Sequence, residues 1–284
     1  MRKSRRDSEP VYSTPIDEFG YPIEEEPQDE QEEQPRKRKK SFARKLLWRL
    51  CLVGIVVLLA ELAILLYSGE IWFNEPKKKD YPVRGPVMDN DGGEIYWTKF
   101  SKQNIQMCYL RATKSTSYVD ESFEKNWKGA SKSAIPVGAL HIFDMRADGA
   151  EQAENYLSAV GDLTGRLTPA VEISPGLFDR IFAPNVNTVG SNLRAFADRI
   201  KERTGVYPII KCSSHAYEKY VRGEFDDCML WYESKFSQPE SDIDWDFWEY
   251  TDRTRLLSHE KDSERLEMSV FRHDEEKFKS LLIV

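Results

Sequence analysis

The sequence has few of the residues that build metal, redox or nucleotide sites. Its 284 residues include four cysteines and four histidines, with no CxxC pair and no histidine cluster at metal-ligand spacing. GxGxxG and P-loop motifs are also absent, so nothing supports a nucleotide site. There is no basic excess either: the formal net charge is −7, and an acidic chain gains nothing from counterion release on phosphate backbones. We therefore expect no metal, no cofactor and no nucleic-acid partner.

Residues 1–45 lack the apolar side chains that a folded core requires. They carry eleven basic and eleven acidic residues, with an acidic stretch followed by the basic run 36–40. Such a segment cannot bury enough apolar surface to offset the entropy lost on ordering. The composition predicts a disordered tail, either simply solvated or docking a protein partner.

The next segment lacks the polar stripe of a helix packed in a soluble core. Residues 46–69 are apolar apart from Arg49 near the start and Glu61 inside, and roughly 20 such residues cross a bilayer core as a helix. Seven Lys or Arg residues precede the span between Arg36 and Lys45, which places the N-terminus in the cytoplasm. We predict an uncleaved signal anchor in the cell membrane, a linker at 70–80 and an extracytoplasmic domain at 81–284.

The C-terminal domain alternates strand-like and helix-like segments. Helical spacing occurs at 122–133, 149–160 and 192–204, and apolar strand-like runs occur at 105–112, 135–143, 168–173, 208–211, 229–232 and 247–250. This alternation indicates parallel βαβ units. We expect a (β/α) barrel, with functional residues at the carboxyl ends of the strands. A doubly wound open sheet is the alternative.

Cys212 and Cys228 are separated by a short polar segment in a domain predicted to lie in an oxidising compartment. They are candidates for a disulfide. Their spacing alone does not establish that the Cα atoms lie within the ~7 Å that the bond requires.

Several motifs in the domain, in order, resemble glycoside hydrolase family 25, the muramidase-type lysozymes. They are YPVRG (81–85), GEIYW (93–97), YLRAT (109–113), IPVGALH (135–141), AEQAEN (150–155), PAVEIS (169–174) and FWEYT (247–251). The resemblance spans about residues 81–284. It implies an irregular TIM-like (β/α) barrel that acts on peptidoglycan at the bacterial cell wall.

The same resemblance identifies four acid positions, and this chain departs from the family at two of them. The family's D-x-E strand falls on Glu172 and Ser174, its early aspartate on Val87 and its late aspartate on Glu267. Two acids are thus lost, and two are retained as glutamates. Cleavage of a glycosidic bond normally needs a protonated carboxylic acid and a second carboxylate, so we expect hydrolysis to be lost or greatly reduced.

Other residues are expected to line the groove. Asp89 and Asp91 lie just beyond Val87, His141 matches the family's strand histidine, and Trp248 and Tyr250 are candidates for stacking on sugar rings. Three functions remain open at this point. They are glycan or partner binding with little hydrolysis, an active N-acetylmuramidase using Glu172 and Glu267, and a scaffold that signals through the cytoplasmic tail.

Overall fold

The computed structural model describes residues 15–22, 42–88, 93–256 and 265–284. The chain divides into two compact units, Met1–Val56 and Val57–Val284. In the first unit, residues 15–22 form a tight turn in which Asp17 Oδ1 accepts hydrogen bonds from the backbone N–H groups of Phe19 and Tyr21. Most of the tail predicted to be disordered lies outside the described residues.

The apolar segment forms one helix, α1 (Phe42–Ser68), of 27 residues. At 1.5 Å per residue its length is about 40 Å, more than the ~30 Å of a bilayer core. None of its residues is buried against other parts of the protein. The helix is therefore long and apolar enough to cross a membrane, and it begins four residues before the predicted span.

Nine strands follow among the described residues of the second unit. They are β1 (Arg84–Met88), β2 (Cys108–Lys114), β3 (Tyr118–Val119), β4 (Val137–Ile142), β5 (Ala170–Ile173), β6 (Ile209–Ser213), β7 (Leu230–Glu233), β8 (Phe247–Thr254) and β9 (Leu266–Phe271). Eight of them close into a barrel in the order β1-β2-β4-β5-β6-β7-β8-β9, and β9 pairs back to β1. Neighbours are parallel except at β9, which is antiparallel to both β8 and β1. The predicted irregular barrel is confirmed, and the open sheet was the wrong alternative.

The barrel helices are α2 (Trp97–Phe100), α3 (Phe123–Ala130), α4 (Gly149–Val160), α5 (Leu177–Ile181), α6 (Val186–Thr204), α7 (Ser214–Ala216, continuing into a π-helical turn at Tyr217–Val221) and α8 (Glu275–Lys279). Their ends follow local chemistry. Asp148 caps α4 by accepting a hydrogen bond from the Glu151 N–H, and Gly205 ends α6 with φ at +80°, a conformation that favours glycine.

Two apolar clusters result from the two-residue period of the strands. Side chains that point outward pack under the helices, as Val171 on β5 and Ile210 on β6 do. Side chains that point inward fill the barrel floor, as Ala170, Ile209 and Trp231 do. The inward positions two residues further along these strands therefore lie at the mouth, at the carboxyl ends of the parallel strands.

Both candidate disulfide cysteines are free thiols. Cys212 on β6 lies opposite Tyr232 on β7, and Cys228 precedes Tyr232 by four residues. At about 3.3 Å per residue, the two cysteines are offset by about 13 Å along neighbouring strands, well beyond the ~7 Å limit. The predicted disulfide is wrong because the short segment between the cysteines is a strand connection, not a tight loop.

Candidate functional site

A buried lysine stands at the centre of the barrel mouth. Lys211, on β6, points inward just above the apolar floor and is 1% exposed. Its Nζ lies 3.2 Å or less from one oxygen of each of four glutamates: Glu172 (3.2 Å), Glu233 (3.1 Å), Glu249 (2.9 Å) and Glu267 (3.1 Å). These carboxylates come from β5, β7, β8 and β9. We call Lys211 and these four glutamates the mouth cluster.

A second cation joins two members of the cluster. Arg111, on β2, donates through Nη2 to Glu172 Oε2 at 3.1 Å and to Glu267 Oε1 at 2.7 Å. The two retained family acids, Glu172 and Glu267, are therefore brought together as the sequence predicts. Each of them is held by both Arg111 and Lys211.

The charges of the cluster decide which carboxyl groups can carry a proton. Burial by itself lowers the pKa of Lys211, but the four surrounding glutamates outweigh it and raise the pKa well above its usual value. Burial raises the pKa of Glu267, yet Lys211 and Arg111 outweigh this effect and lower it to about 2. Glu267 is therefore ionised at neutral pH and is a poor proton donor.

Glu249 is the opposite case. It has no exposed surface, and burial raises its pKa to about 8 although Lys211 acts to lower it. Its oxygens lie 2.9 Å from Lys211 Nζ and 3.2 Å from Lys235 Nζ, distances that favour an ionised carboxylate. Burial and the neighbouring carboxylates Glu267 and Glu233 outweigh this attraction, since neither Glu249 oxygen accepts a hydrogen bond among the described residues. Glu249 thus holds a proton near neutral pH, but it lies beneath the surface of the mouth.

The two positions that lack acids also lie at the mouth. Val87, on β1, is 2% exposed and belongs to the apolar floor; it pairs with Glu267 on β9. Ser174 directly follows β5 and is exposed, on the same strand face as Glu172. No carboxyl group stands at either place. Asp89 and Asp91, the residues considered as substitutes, lie outside the described residues.

His141 does not line the groove, and this expectation is corrected. It has no exposed surface and points outward from β4, as Ala139 does, because alternate residues share a strand face. Its Nε2 lies 3.2 Å from Gln152 Oε1, its Nδ1 lies 2.7 Å from Thr113 Oγ1, and its ring stacks on Phe196. Burial lowers its pKa to about 4, so it is neutral at physiological pH.

Trp248 and Tyr250 are also outward-facing core residues. Trp248 is fully buried, and Tyr250 is 4% exposed. Trp248 packs against Tyr81 and Trp245. The predicted sugar-stacking role does not agree with this placement, since the inward residue between them on β8 is Glu249.

The sequence contained a signal for the residues that were missed. Lys211 interrupts the apolar run PIIKC, and Glu249 interrupts FWEY. A charged residue in the middle of a short buried strand requires partners. On a barrel strand it points either into the helix layer or into the mouth. Lys211 and Glu249 lie two residues after Ile209 and Phe247, which point inward and fill the floor. Because alternate residues share a strand face, both charged side chains also point inward, at the mouth.

The mouth cluster holds the positively charged ammonium of Lys211 among four glutamate side chains. The carboxyl groups surround the ammonium of Lys211, and the guanidinium of Arg111 adds a second positive charge, so the charge of the mouth is largely balanced from within. Among the described residues of the mouth, Glu267 is ionised and Glu249 is buried, so neither of these two is placed to donate a proton to a bound group. The mouth is thus suited to binding polar, hydroxyl-rich groups.

A closed barrel with carboxylates at the carboxyl ends of its strands is the arrangement of the α/β-barrel hydrolases. The model of Glycosyl hydrolases family 25 matches residues 88–259, which is more than half of the chain. The chain belongs to this family, and the resemblance inferred from its motifs is confirmed.

Solved structures agree with this assignment. A family 25 glycosyl hydrolase from Bacillus anthracis is similar with a TM-score of 0.67 and 26% identity, over 73% of this chain and 96% of that one. The bacterial lysozyme from Streptomyces coelicolor has a TM-score of 0.63 at 20% identity, over 70% of this chain and 96% of that one, and this likeness shows the fold alone.

Two curated relatives are each 22% identical to this chain over part of its length. The uncharacterized protein YegX of Escherichia coli O6:H1 is 22% identical over 183 residues, which cover 62% of this chain and 65% of YegX. The autolytic lysozyme of Clostridium acetobutylicum is 22% identical over 172 residues, 60% of this chain and 51% of that protein. The chain thus spans about half to two thirds of the length of these relatives.

Proposed function

We propose that this chain is a membrane-anchored, extracytoplasmic family 25 domain that binds peptidoglycan or a related cell-wall glycan and has lost most or all muramidase activity. Relatives named autolytic lysozyme and bacterial lysozyme support a cell-wall glycan as the ligand. The observation that carries the loss of activity is the pair Val87 and Ser174 at two acid positions of the family.

The remaining charges support the same conclusion. Breaking a glycosidic bond requires a proton for the leaving oxygen, and a serine hydroxyl holds its proton far too tightly at neutral pH. Glu267 is kept ionised by Lys211 and Arg111. Glu249 retains a proton but has no surface that a sugar can reach. Binding needs none of these protons.

The anchor is the second part of the proposal. The helix α1 has the length and composition of a membrane span, and the basic residues before it favour a cytoplasmic N-terminus. We therefore propose that residues 1–45 are a cytoplasmic tail, 46–69 the span, 70–80 a linker and 81–284 the extracytoplasmic barrel.

An active muramidase is the alternative, because Glu172 and Glu267 do meet in the mouth. In that case Glu172→Gln would abolish cleavage. We favour binding because each of the two acids is ion-paired with both Arg111 and Lys211, so neither carboxyl group can act on a substrate without breaking these ion pairs.

The test compares clearing and binding of purified cell-wall sacculi by the full chain in detergent micelles. We expect the wild-type chain to sediment with sacculi without reducing their turbidity. The double variant Val87→Asp plus Ser174→Glu restores both missing acids. We expect it to regain measurable clearing of the sacculi.

A matched control places the same new acids elsewhere. Val206→Asp plus Ser131→Glu adds them at exposed positions and is expected to behave as wild type. Rapid clearing by the wild-type chain would refute the loss of activity, and absence of sedimentation with sacculi would refute glycan binding.

A further inference from the structure

An exposed aromatic patch follows directly after α1. Its members, which we call the linker patch, are Trp72, Phe73 and Phe236. The ring centroids of Trp72 and Phe73 are 5.1 Å apart, and those of Phe73 and Phe236 are 6.3 Å apart. Phe73 and Phe236 are 63% and 72% exposed. Phe236 comes from the segment just after β7, so the patch joins the linker to the mouth end of the barrel.

The linker is fixed to the barrel at this place. Trp72 Nε1 donates to the Tyr250 carbonyl at 2.8 Å, and Asn74 Nδ2 donates to the Ser237 carbonyl at 3.0 Å. Gly69 has φ at +78°, and a Cβ there would lie 2.1 Å from the Arg253 carbonyl oxygen. The chain between Ser68 and Asn74 therefore follows the carboxyl end of β8 closely.

The last turn of α1 contacts the same strand end, within the unit Val57–Val284. Arg253 Nη1 donates to the Tyr67 carbonyl at 3.2 Å, and the Arg265 guanidinium lies 4.1 Å from the centroid of the Tyr67 ring. Tyrosines at the ends of membrane helices lie at headgroup level. If α1 crosses the membrane, the carboxyl end of β8 lies at the bilayer surface.

A second apolar patch lies at the same end of the barrel. The short helix α5 follows β5 directly and exposes four large apolar side chains, the rim patch: Leu177, Phe178, Ile181 and Phe182, each between 61% and 76% exposed. Arg146 holds this helix by donating to the Phe182 carbonyl at 2.7 Å and lies over the Phe178 ring. Because β5 and β8 belong to the parallel set of strands, their carboxyl ends meet at the same mouth.

Clusters of exposed large apolar side chains mark surfaces that are covered in use. Here the covering surface follows from the connection to α1, since the linker patch begins four residues after the end of the apolar helix. We propose that the rim of the barrel mouth docks on the outer surface of the bilayer through the linker patch and the rim patch. This inference rests on the membrane anchoring in the proposed function.

The test uses the full chain in nanodiscs that contain a phospholipid with a photoreactive diazirine on its acyl chain. After illumination, mass spectrometry identifies the peptides that carry lipid. We expect lipid adducts on α1, on the linker patch and on residues 177–182. We expect none on Glu275–Lys279, which lie in α8, after the antiparallel strand β9 and therefore at the opposite end of the barrel.

The variant Phe178→Ser plus Phe182→Ser removes half of the rim patch from an exposed helix. It should lower the adduct yield at Leu177 and Ile181 about tenfold, since burial of aromatic surface in the bilayer drives docking. Val206→Ser is the matched control: it removes an exposed apolar side chain just before β6, at the opposite end, and should change nothing.

The outcomes separate this inference from the proposed function. Adducts on α1 with none on residues 177–182 would overturn docking through the rim while leaving the anchor intact. A protein partner found to cover the rim patch would overturn docking on the bilayer in the same way. An unchanged yield in the double serine variant would also overturn it. Absence of adducts on α1 itself would refute the membrane anchor.

Discussion

Replacing Glu249 with glutamine tests whether the Glu249 carboxyl group carries a proton in the folded protein. The amide has nearly the shape of a protonated carboxyl group but cannot ionise. The ordinary pKa of the glutamate is 4.5, and burial raises it to about 8 in the folded protein. Between these two values the folded state keeps a proton that the unfolded state has released. The free energy of unfolding therefore falls as the pH rises through this window.

The magnitude follows from the width of the window. At about 1.4 kcal/mol per pH unit, the interval from 4.5 to about 8 corresponds to a loss of about 4–5 kcal/mol by pH 8.5, an upper limit for a group in contact with other charges. Glu249→Gln removes this loss. The variant should match wild type within about 1 kcal/mol at pH 5 and be more stable at pH 8.5 by up to about 4 kcal/mol.

The assay is urea unfolding of residues 70–284 at pH 5, 7 and 8.5, for wild type and variant in parallel. Expression without α1 is reasonable because the Bacillus anthracis structure is matched over 96% of its length by the barrel. Titrating groups outside the mouth cluster, such as buried His141, affect both proteins equally and cancel in the difference.

The opposite result would refute the reasoning. If Glu249 is ionised between Lys211 and Lys235, its loss leaves the buried ammonium of Lys211 and the half-buried ammonium of Lys235 with one neighbour fewer. The variant would then be less stable than wild type by about 3–5 kcal/mol at pH 8.5. Glu267→Gln is the matched control with the opposite sign. The lowered pKa of Glu267, about 2, stabilises the fold above pH 4.5, so this variant should be less stable at pH 7, and its deficit should vanish as the pH falls towards 2.

Three further predictions concern single contacts. Lys211→Met leaves four glutamates without their shared ammonium and should lower the free energy of unfolding by about 3–5 kcal/mol at pH 7, less at pH 4; a deficit independent of pH would contradict this. Gly138→Ala places a Cβ 2.4 Å from the Tyr109 ring and should cost about 1–3 kcal/mol in urea unfolding, whereas Gly161→Ala, at an open but left-handed position, tests backbone strain alone. The full chain, unfolded but not reduced, should react with four equivalents of an alkylating agent, because all four cysteines are free thiols. Reaction with only two equivalents would indicate a disulfide.

Much of the fold could be predicted from local patterns. The helix at 149–160 has the bounds of α4, because an aspartate precedes it and a glycine follows it, and the periodic apolar residues lie between them. The strands β1 and β9 were not predicted. β1 contains Gly85 and Pro86, which have low strand propensity, and β9 carries Glu267 and Ser269 on a face that is buried only once the barrel closes.

The site was predictable only in part. The family pattern predicted Glu172 and Glu267 as retained acids, and both contact Lys211 and Arg111 in the mouth; Val87 and Ser174 as lost acid positions stay a prediction. The role of Lys211 depends on carboxylates from four different strands, and no local pattern joins residues so far apart in sequence. His141, Trp248 and Tyr250 were misplaced because a match to a motif gives a position along a strand, whereas the side of the strand follows from alternation with the residues of the floor.

The position of Lys211 has a consequence for catalysis that goes beyond the missing acids. Glycoside cleavage passes through a transition state with positive charge on the sugar ring, and a ring of carboxylates is the environment that stabilises such a charge. In this barrel the ring already surrounds a permanent cation, the ammonium of Lys211. Acids restored at positions 87 and 174 would therefore act beside a fixed cation that opposes positive charge on the sugar ring, so we expect them to restore cleavage only in part.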